Sequence, residues 1–132
     1  MSNFGNTGEY IFSTTDPFGK EVRLKSSTWY GHIISGDDDR VALEGEIDTI
    51  KNVINNPYYI LSNNPHDPND TRQKYLDIVQ LQNYTALKNL LVVVDHQNSN
   101  FGDIVTIIPK NTLKQESTEG GPIYVRGKST FK

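Results

Sequence analysis

Apolar and polar positions repeat with two different periods along this chain. From Leu43 to Ile54 the apolar residues Leu43, Ile47, Ile50 and Ile54 recur at helical spacing, while Glu44, Glu46, Asp48 and Lys51 turn elsewhere. This stripe predicts an amphipathic helix with one buried side. It ends at Asn55-Asn56-Pro57, because a residue before proline avoids helical dihedrals. Most other apolar stretches have strand length: 10–14, 21–25, 58–61, 73–81, 89–95 and 103–108. In the second of these Val22 and Leu24 share one face, and Arg23 and Lys25 the other.

Turn formers separate the strands. Asp16-Pro17-Phe18-Gly19 joins the first two, since proline presets one dihedral and glycine supplies the unusual one. The links around Asn83-Tyr84-Thr85 and Asn98 to Gly102 are short, which favours antiparallel neighbours. Ser62 to Asp70 reads as a loop, Pro109 closes the last long run, and Pro122 to Arg126 is either an edge strand or unfolded. A short helix is expected over Thr28 to Ser35, with Ser26 and Ser27 as N-caps and Gly36 as terminator. The expected architecture is α+β, with N-terminal helices packed on a four- to five-stranded antiparallel sheet. Residues 1–8 read as a disordered leader, 9–110 as the domain, and 111–132 as a polar tail or edge strand.

Composition narrows the function classes. The 132 residues suit one domain with one core. Leu90 to Val94 and Ile104 to Ile108, the longest apolar runs, fall far short of a bilayer span, and the first residues lack the pattern of a signal peptide. A cytoplasmic protein is expected, or one end of something delivered into a cell. Without cysteine there is no disulfide framework, thiolate metal site or thiol nucleophile. The net charge of −3, with 13 unclustered basic residues, argues against a protein that coats nucleic acid. An RNA-cleaving enzyme whose few cations converge remains compatible, as does an acidic surface that meets a neutralising protein. Asp37-Asp38-Asp39 points in divergent directions and suits the start of a helix better than a metal site. No metal and no cofactor is expected.

Three groups of residues can carry chemistry. His32 lies three positions after Trp29, at the border of the helix's buried stripe, and imidazole is the side chain suited to exchanging protons near neutral pH. The same position also suits a packed histidine bonded to a backbone carbonyl. Arg72, Lys74 and Tyr75 open a strand in which Lys74 and Tyr75 face opposite ways. A cation there can neutralise a phosphate, and a phenol can donate a hydrogen bond. Thr106 interrupts an otherwise apolar strand. His66 reads as an exposed loop residue, and His96, after Asp95 at a strand end, has no spacing that pairs it with His32.

The turn Asp16-Pro17-Phe18-Gly19, the strand Val22-Arg23-Leu24 and the helix Trp29-Tyr30-Gly31-His32-Ile33 occur here in a telling order. Together they resemble the opening of phage-associated nuclease domains of the barnase, EndoU, colicin and RelE-like (BECR) ribonuclease superfamily. The resemblance implies a metal-independent endoribonuclease that cleaves tRNA or other structured RNA in bacterial or phage conflict. By position, His32 is then the general base or acid, Lys74 or Arg72 neutralises the phosphate, and Tyr75 and Thr106 orient it. Arg23 and Arg72 bind the RNA backbone. A neutralising antitoxin or immunity protein is the implied partner. Similar domains often carry a His-Pro pair after this helix, where this chain has Gly36-Asp37-Asp38-Asp39-Arg40. That departure favours the alternative, a catalytically silent domain of the same fold that binds a protein.

Overall fold

A computed structural model describes residues 10–35, 41–98, 100–112 and 122–127. The hairpin read around Asp16 is present: β1 (Tyr10–Thr15) pairs antiparallel with β2 (Glu21–Lys25). Gly19 takes φ 82°, open to glycine without steric cost, and its N–H donates to Asp16 O at 2.9 Å to close the turn. After β2 the chain enters α1 (Ser26–Thr28), which continues as a π-helical turn from Trp29 to Ile33. Ser26 and Ser27 therefore lie inside the helical segment rather than capping it; Lys25 holds the cap position, with no side-chain cap bond. The expected terminator Gly36 and the acidic run 37–39 lie outside the described residues.

The second helix, α2 (Ile47–Asn55), is shorter than its apolar stripe, because residues 42–45 form a turn. Leu43, Ile50 and Ile54 are fully buried as expected, whereas Ile47, in the first helical position, is only half-buried. Glu46 was expected to face away and is instead buried. Its carboxylate accepts hydrogen bonds from Gln82 N at 2.6 Å and Thr49 Oγ1 at 3.1 Å, so the buried group is satisfied.

The remaining strands are β3 (Tyr59–Ser62), β4 (Arg72–Val79), β5 (Lys88–Asp95), β6 (Phe101–Lys110) and β7 (Tyr124–Val125). All seven join one sheet in the order β1-β2-β6-β5-β4-β3-β7. The fold is α+β, but the expected sheet of four or five antiparallel strands is corrected in two ways. It has seven strands, because the N-terminal hairpin and β7 both add to it. It is also mixed, because β2 runs parallel to β6 through Glu21–Phe101, Val22–Gly102 and Arg23–Asp103. The two helices fill the connection that carries the chain from β2 across the sheet to β3. Tyr124 and Val125 pair with Ile60 and Tyr59, which resolves the C-terminal alternative as an edge strand. Pro109 sits within β6 rather than after it. It is tolerated because β2 pairs only with residues 101–103, so this end of β6 has a ladder on one side alone.

Alternation gives the sheet two apolar faces. On the helical face Val22, Leu24, Tyr75, Leu90, Val92, Val94, Ile104 and Ile107 pack with Trp29, Ile33, Leu43, Ile50 and Ile54. On the second face Leu61, Leu76, Leu91 and Val93 form a smaller cluster, flanked by Tyr59, Val105 and Ile108. The pairing of β5 with β6 shifts between Val93 and Val94, and this irregularity places Val105 and Thr106 together on the second face.

Candidate functional site

Two polar assemblies occupy the same end of the sheet, one on each face. The first gathers around Tyr75, whose register row is Ile60–Tyr75–Val92–Ile107, apolar on either side. The hairpin turn folds over the helical face and brings Asp16 to this tyrosine. Tyr75 is fully buried, and its hydroxyl donates to Asp16 Oδ2 at 2.7 Å. Asp16 is itself buried, and its Oδ1 accepts from the N–H groups of Phe18 and Lys20, each at 2.9 Å. The third member is His96, with Nε2 2.9 Å from the phenol oxygen. Since the phenol proton goes to Asp16, the imidazole must meet that oxygen with Nε2–H, which leaves the lone pair on Nδ1.

Gly102 makes this packing possible. A Cβ there would fall 2.7 Å from His96 Cε1, 2.8 Å from Nδ1 and 2.6 Å from Val94 Cγ1, so no larger residue fits without displacement. Burial, followed by repulsion from Lys20, holds the His96 imidazole below its ordinary value, while Asp16 and Asp95 pull the other way. Burial, followed by the bond to Asp16, pushes the Tyr75 phenol far above its ordinary value, so it stays protonated. The trio ties the hairpin turn to the centre of the sheet. His96 also borders a cleft of about 390 Å³ lined by Asn63, Asn64, Thr71, Arg72 and Gln73.

The second assembly is on the opposite face. One row runs Leu61–Lys74–Val93–Thr106 across β3, β4, β5 and β6. Lys74 and Thr106 therefore share a face and a level, two strand spacings or about 10 Å apart at the backbone. The Thr106 hydroxyl is buried and meets no hydrogen-bond partner among the described residues. The next row is charged, with Arg72 opposite Asp95, Asp95 opposite Asp103, and Asp103 opposite Arg23. Arg72 Nε lies 3.6 Å from Asp95 Oδ2, and Lys25 Nζ lies 4.0 Å from Asp103 Oδ2. Arg23 has other partners: Nε meets Glu21 at 3.1 Å, Nη1 donates to Tyr10 Oη at 2.9 Å, and the guanidinium lies 3.7 Å over the Phe101 ring. These contacts leave it poorly placed to act as a backbone clamp, and make it one side of a cation–aromatic stack.

A cleft of about 490 Å³ opens beside this row, lined by Lys25, Thr28, Asp95, Phe101, Asp103 and Val105 among others. Thr28 lies on its wall. His32 follows one turn later on the same side of the helical segment, while Trp29 and Ile33 take the buried side. His32 is exposed.

The structure thus brings Lys74, Thr106 and Arg72 to one face, whereas His32 is exposed on a helical segment that packs on the other face through Trp29 and Ile33. It does not bring Tyr75 there. The phenol is buried beneath the helical face with its hydrogen committed to Asp16, so Tyr75 is corrected from a phosphate-orienting residue to an anchor of the turn. His96 was passed over in the sequence because its partners, Asp16 and Tyr75, lie 80 and 21 positions away. The link residue Gly102 falls inside β6 in the structure, where a glycine marks a close approach, and the sequence reading of 103–108 as the strand hid that signal. Among the described residues no three of His, Cys, Asp or Glu converge as metal ligands, and no helix is long and apolar enough to cross a membrane. The chain matches no protein-family model, no curated protein and no solved structure.

Proposed function

We propose that this chain is a metal-independent endoribonuclease of the BECR type, acting on tRNA or other structured RNA in bacterial or phage conflict. The observation that carries the reading is the row on the second face in which Lys74 and Thr106 lie level, next to the charged row whose Asp95 and Asp103 line the cleft. Phosphate chemistry needs a cation and a hydrogen-bond donor held at fixed spacing, and strands hold side chains more rigidly than loops. The unpartnered Thr106 hydroxyl is a donor without an internal use. Arg72 adds a second positive group one row away.

His32 is the proton-transfer group. It accepts the proton of the ribose 2′-hydroxyl as the 2′-oxygen attacks phosphorus. The bond to the 5′-oxygen breaks, and that oxygen takes a proton from the imidazolium or from water. The products are a 2′,3′-cyclic phosphate and a 5′-hydroxyl. Lys74 offsets the charge that builds on the non-bridging oxygens, and Thr106 donates to one of them.

The test is incubation of the full chain with tRNA in chelator, followed by analysis of fragment ends. Discrete fragments ending in cyclic phosphate support the reading. Lys74→Ala should then slow cleavage about tenfold, with a weaker dependence on salt than the parent. Thr106→Val should slow it without loss of stability, since it removes a buried hydroxyl that has no partner. Cleavage that is lost in chelator and restored by magnesium would overturn it.

A second reading is a silent domain of the same fold that binds a protein, and one surface feature favours it. Ile78 and Leu87, at the same end of the β4–β5 pair, are 59% and 60% exposed. RNA left intact by soluble, folded protein would select this reading.

A further inference from the structure

The β3 edge of the sheet carries a side-chain pocket whose walls owe nothing to the strand lying on it. That strand, β7, is two residues long: Tyr124 pairs with Ile60, and Val125 with Tyr59. Its firmest hold is Arg126, just after it. Arg126 Nη1 donates to Asp77 Oδ2 at 3.0 Å and to Asn56 O at 2.8 Å, and Nη2 lies 3.5 Å from Asp77 Oδ1. The guanidinium also stands 5.6 Å over the Tyr58 ring. The Asp77 side chain is 18% exposed, so its charge calls for a cation. A carboxylate, a carbonyl and an aromatic face together suit the planar fork of arginine, which lysine does not reproduce.

The resident strand covers only part of the edge. β3 pairs with β4 along all four of its residues, yet β7 pairs with just Tyr59 and Ile60. Asn63 N–H donates to Arg72 O on the β4 side, so by alternation the Ser62 N–H and C=O turn to the other side. There the register sets Ser62 opposite Pro122, which has no N–H to give the Ser62 carbonyl. Space is open at this point, since Ser62 and Asn63 line the cleft of about 390 Å³. A segment with a β-branched residue in place of the proline would continue the ladder along Leu61 and Ser62. A second copy of this chain brings the same proline and gains nothing over the strand already in place. A segment of another protein, free of that proline, gains the missing rungs.

We propose that the β3 edge is a strand-docking site for a partner protein, held in the free chain by residues 122–127 until a longer segment displaces them. The partner supplies an extended segment antiparallel to β3, with an aromatic residue opposite Ile60 and a β-branched residue opposite Tyr59. The next residue is an arginine, seated against Asp77, Asn56 and Tyr58. The residues before the aromatic one pair with Leu61 and Ser62 and lead into the cleft. In strand addition the main-chain hydrogen bonds give affinity, and the side-chain pockets give selectivity. The resident strand sets a threshold for exchange, because a tethered segment competes at an effective concentration of about millimolar. This inference stands whether or not the chain cleaves RNA.

The probe is a labelled synthetic peptide that repeats 122–127 with threonine for the proline and a short β-branched run before it. It is titrated against the full chain by fluorescence anisotropy. Arg126→Ala in the chain empties the pocket and should tighten peptide binding about tenfold, the scale of one charge-assisted hydrogen bond. Pro122→Thr in the chain lengthens the resident ladder and should weaken peptide binding about fivefold, the scale of one net hydrogen bond. A peptide with alanine for its arginine should bind about tenfold more weakly, and Asp77→Asn in the chain should erase that difference. Bound peptide should slow hydrogen exchange at the Ser62 amide. Pro122→Thr and the two peptides on the parent chain decide the matter if Arg126→Ala fails to fold. Equal binding of the arginine and alanine peptides would overturn the proposal, as would an unchanged Ser62 amide. Dimers of the parent chain that the peptide does not dissociate would assign the edge to a second copy and overturn it too.

Discussion

Lys74 and Tyr75 are neighbours in sequence and meet opposite environments. Tyr75 enters the helical face, where its row is apolar and its one polar atom is used by Asp16 and His96. Lys74 enters the second face, level with an unpartnered threonine hydroxyl and one row from a strip of charge. On the helical face the Tyr75 hydroxyl and the Asp16 carboxylate are satisfied internally and tie the turn to the sheet, and His96 Nδ1 is the buried atom of that trio left without a partner among the described residues. The second face keeps at least two polar atoms, on Thr106 and Asp103, without partners among the described residues. Internal satisfaction marks structure, and unanswered polarity beside a cleft marks a place for a ligand. The two faces should therefore respond differently to substitution: stability on one, activity on the other.

The largest effect is expected at Ile50, which is fully exposed to no solvent and lies at the centre of the helical-face core. Ile50→Asp should cost about 4 kcal/mol or more, because it buries a charge with no partner. Ile47→Asp should cost less, since Ile47 is only half-buried. Denaturant titration of both variants checks the order, and equal losses would break the burial pattern of α2.

Next is Asp16. Its removal strands the Tyr75 hydroxyl and two backbone N–H groups at once. Asp16→Ala should lower stability by about 3 kcal/mol. A loss near zero would show that the turn is not anchored through Tyr75.

His32→Ala should sharpen the contrast from the other side. RNA cleavage should fall about 10²-fold, the usual scale for a positioned acid or base. The melting temperature should hardly move, because His32 is exposed while Trp29 and Ile33 supply the packing. Normal cleavage by a variant that melts several degrees lower would reverse both assignments.

The smallest effect concerns pH. Burial and Lys20 depress the folded-state value of His96 below its ordinary 6.5, so the unfolded chain binds more protons than the folded one at low pH. Stability from this group is present above about 6.5 and declines as pH falls through that value. His96→Gln should flatten the decline, as read by denaturant midpoints between pH 5 and pH 8; an unchanged slope would mean that the ring is not held neutral.

The sequence by itself determined the local elements. Helical spacing from Leu43 to Ile54, the Asp-Pro-Phe-Gly turn and the strand-length runs each depend on neighbours within a few positions, and each is found close to its expected place. The opposite facing of Lys74 and Tyr75 was equally legible, since alternation is a local property of a strand. Tertiary structure alone decided the rest. The parallel pairing of β2 with β6 joins residues about 80 positions apart, and no local period records it. The same pairing places Arg23 over Phe101 and opposite Asp103, and the folding of the hairpin turn over the sheet delivers Asp16 to Tyr75 and His96. Hydrogen bonds and stacking act over a few ångströms of space, whatever the distance along the chain, so which polar groups are answered and which are left for a ligand is fixed only when the strands assemble.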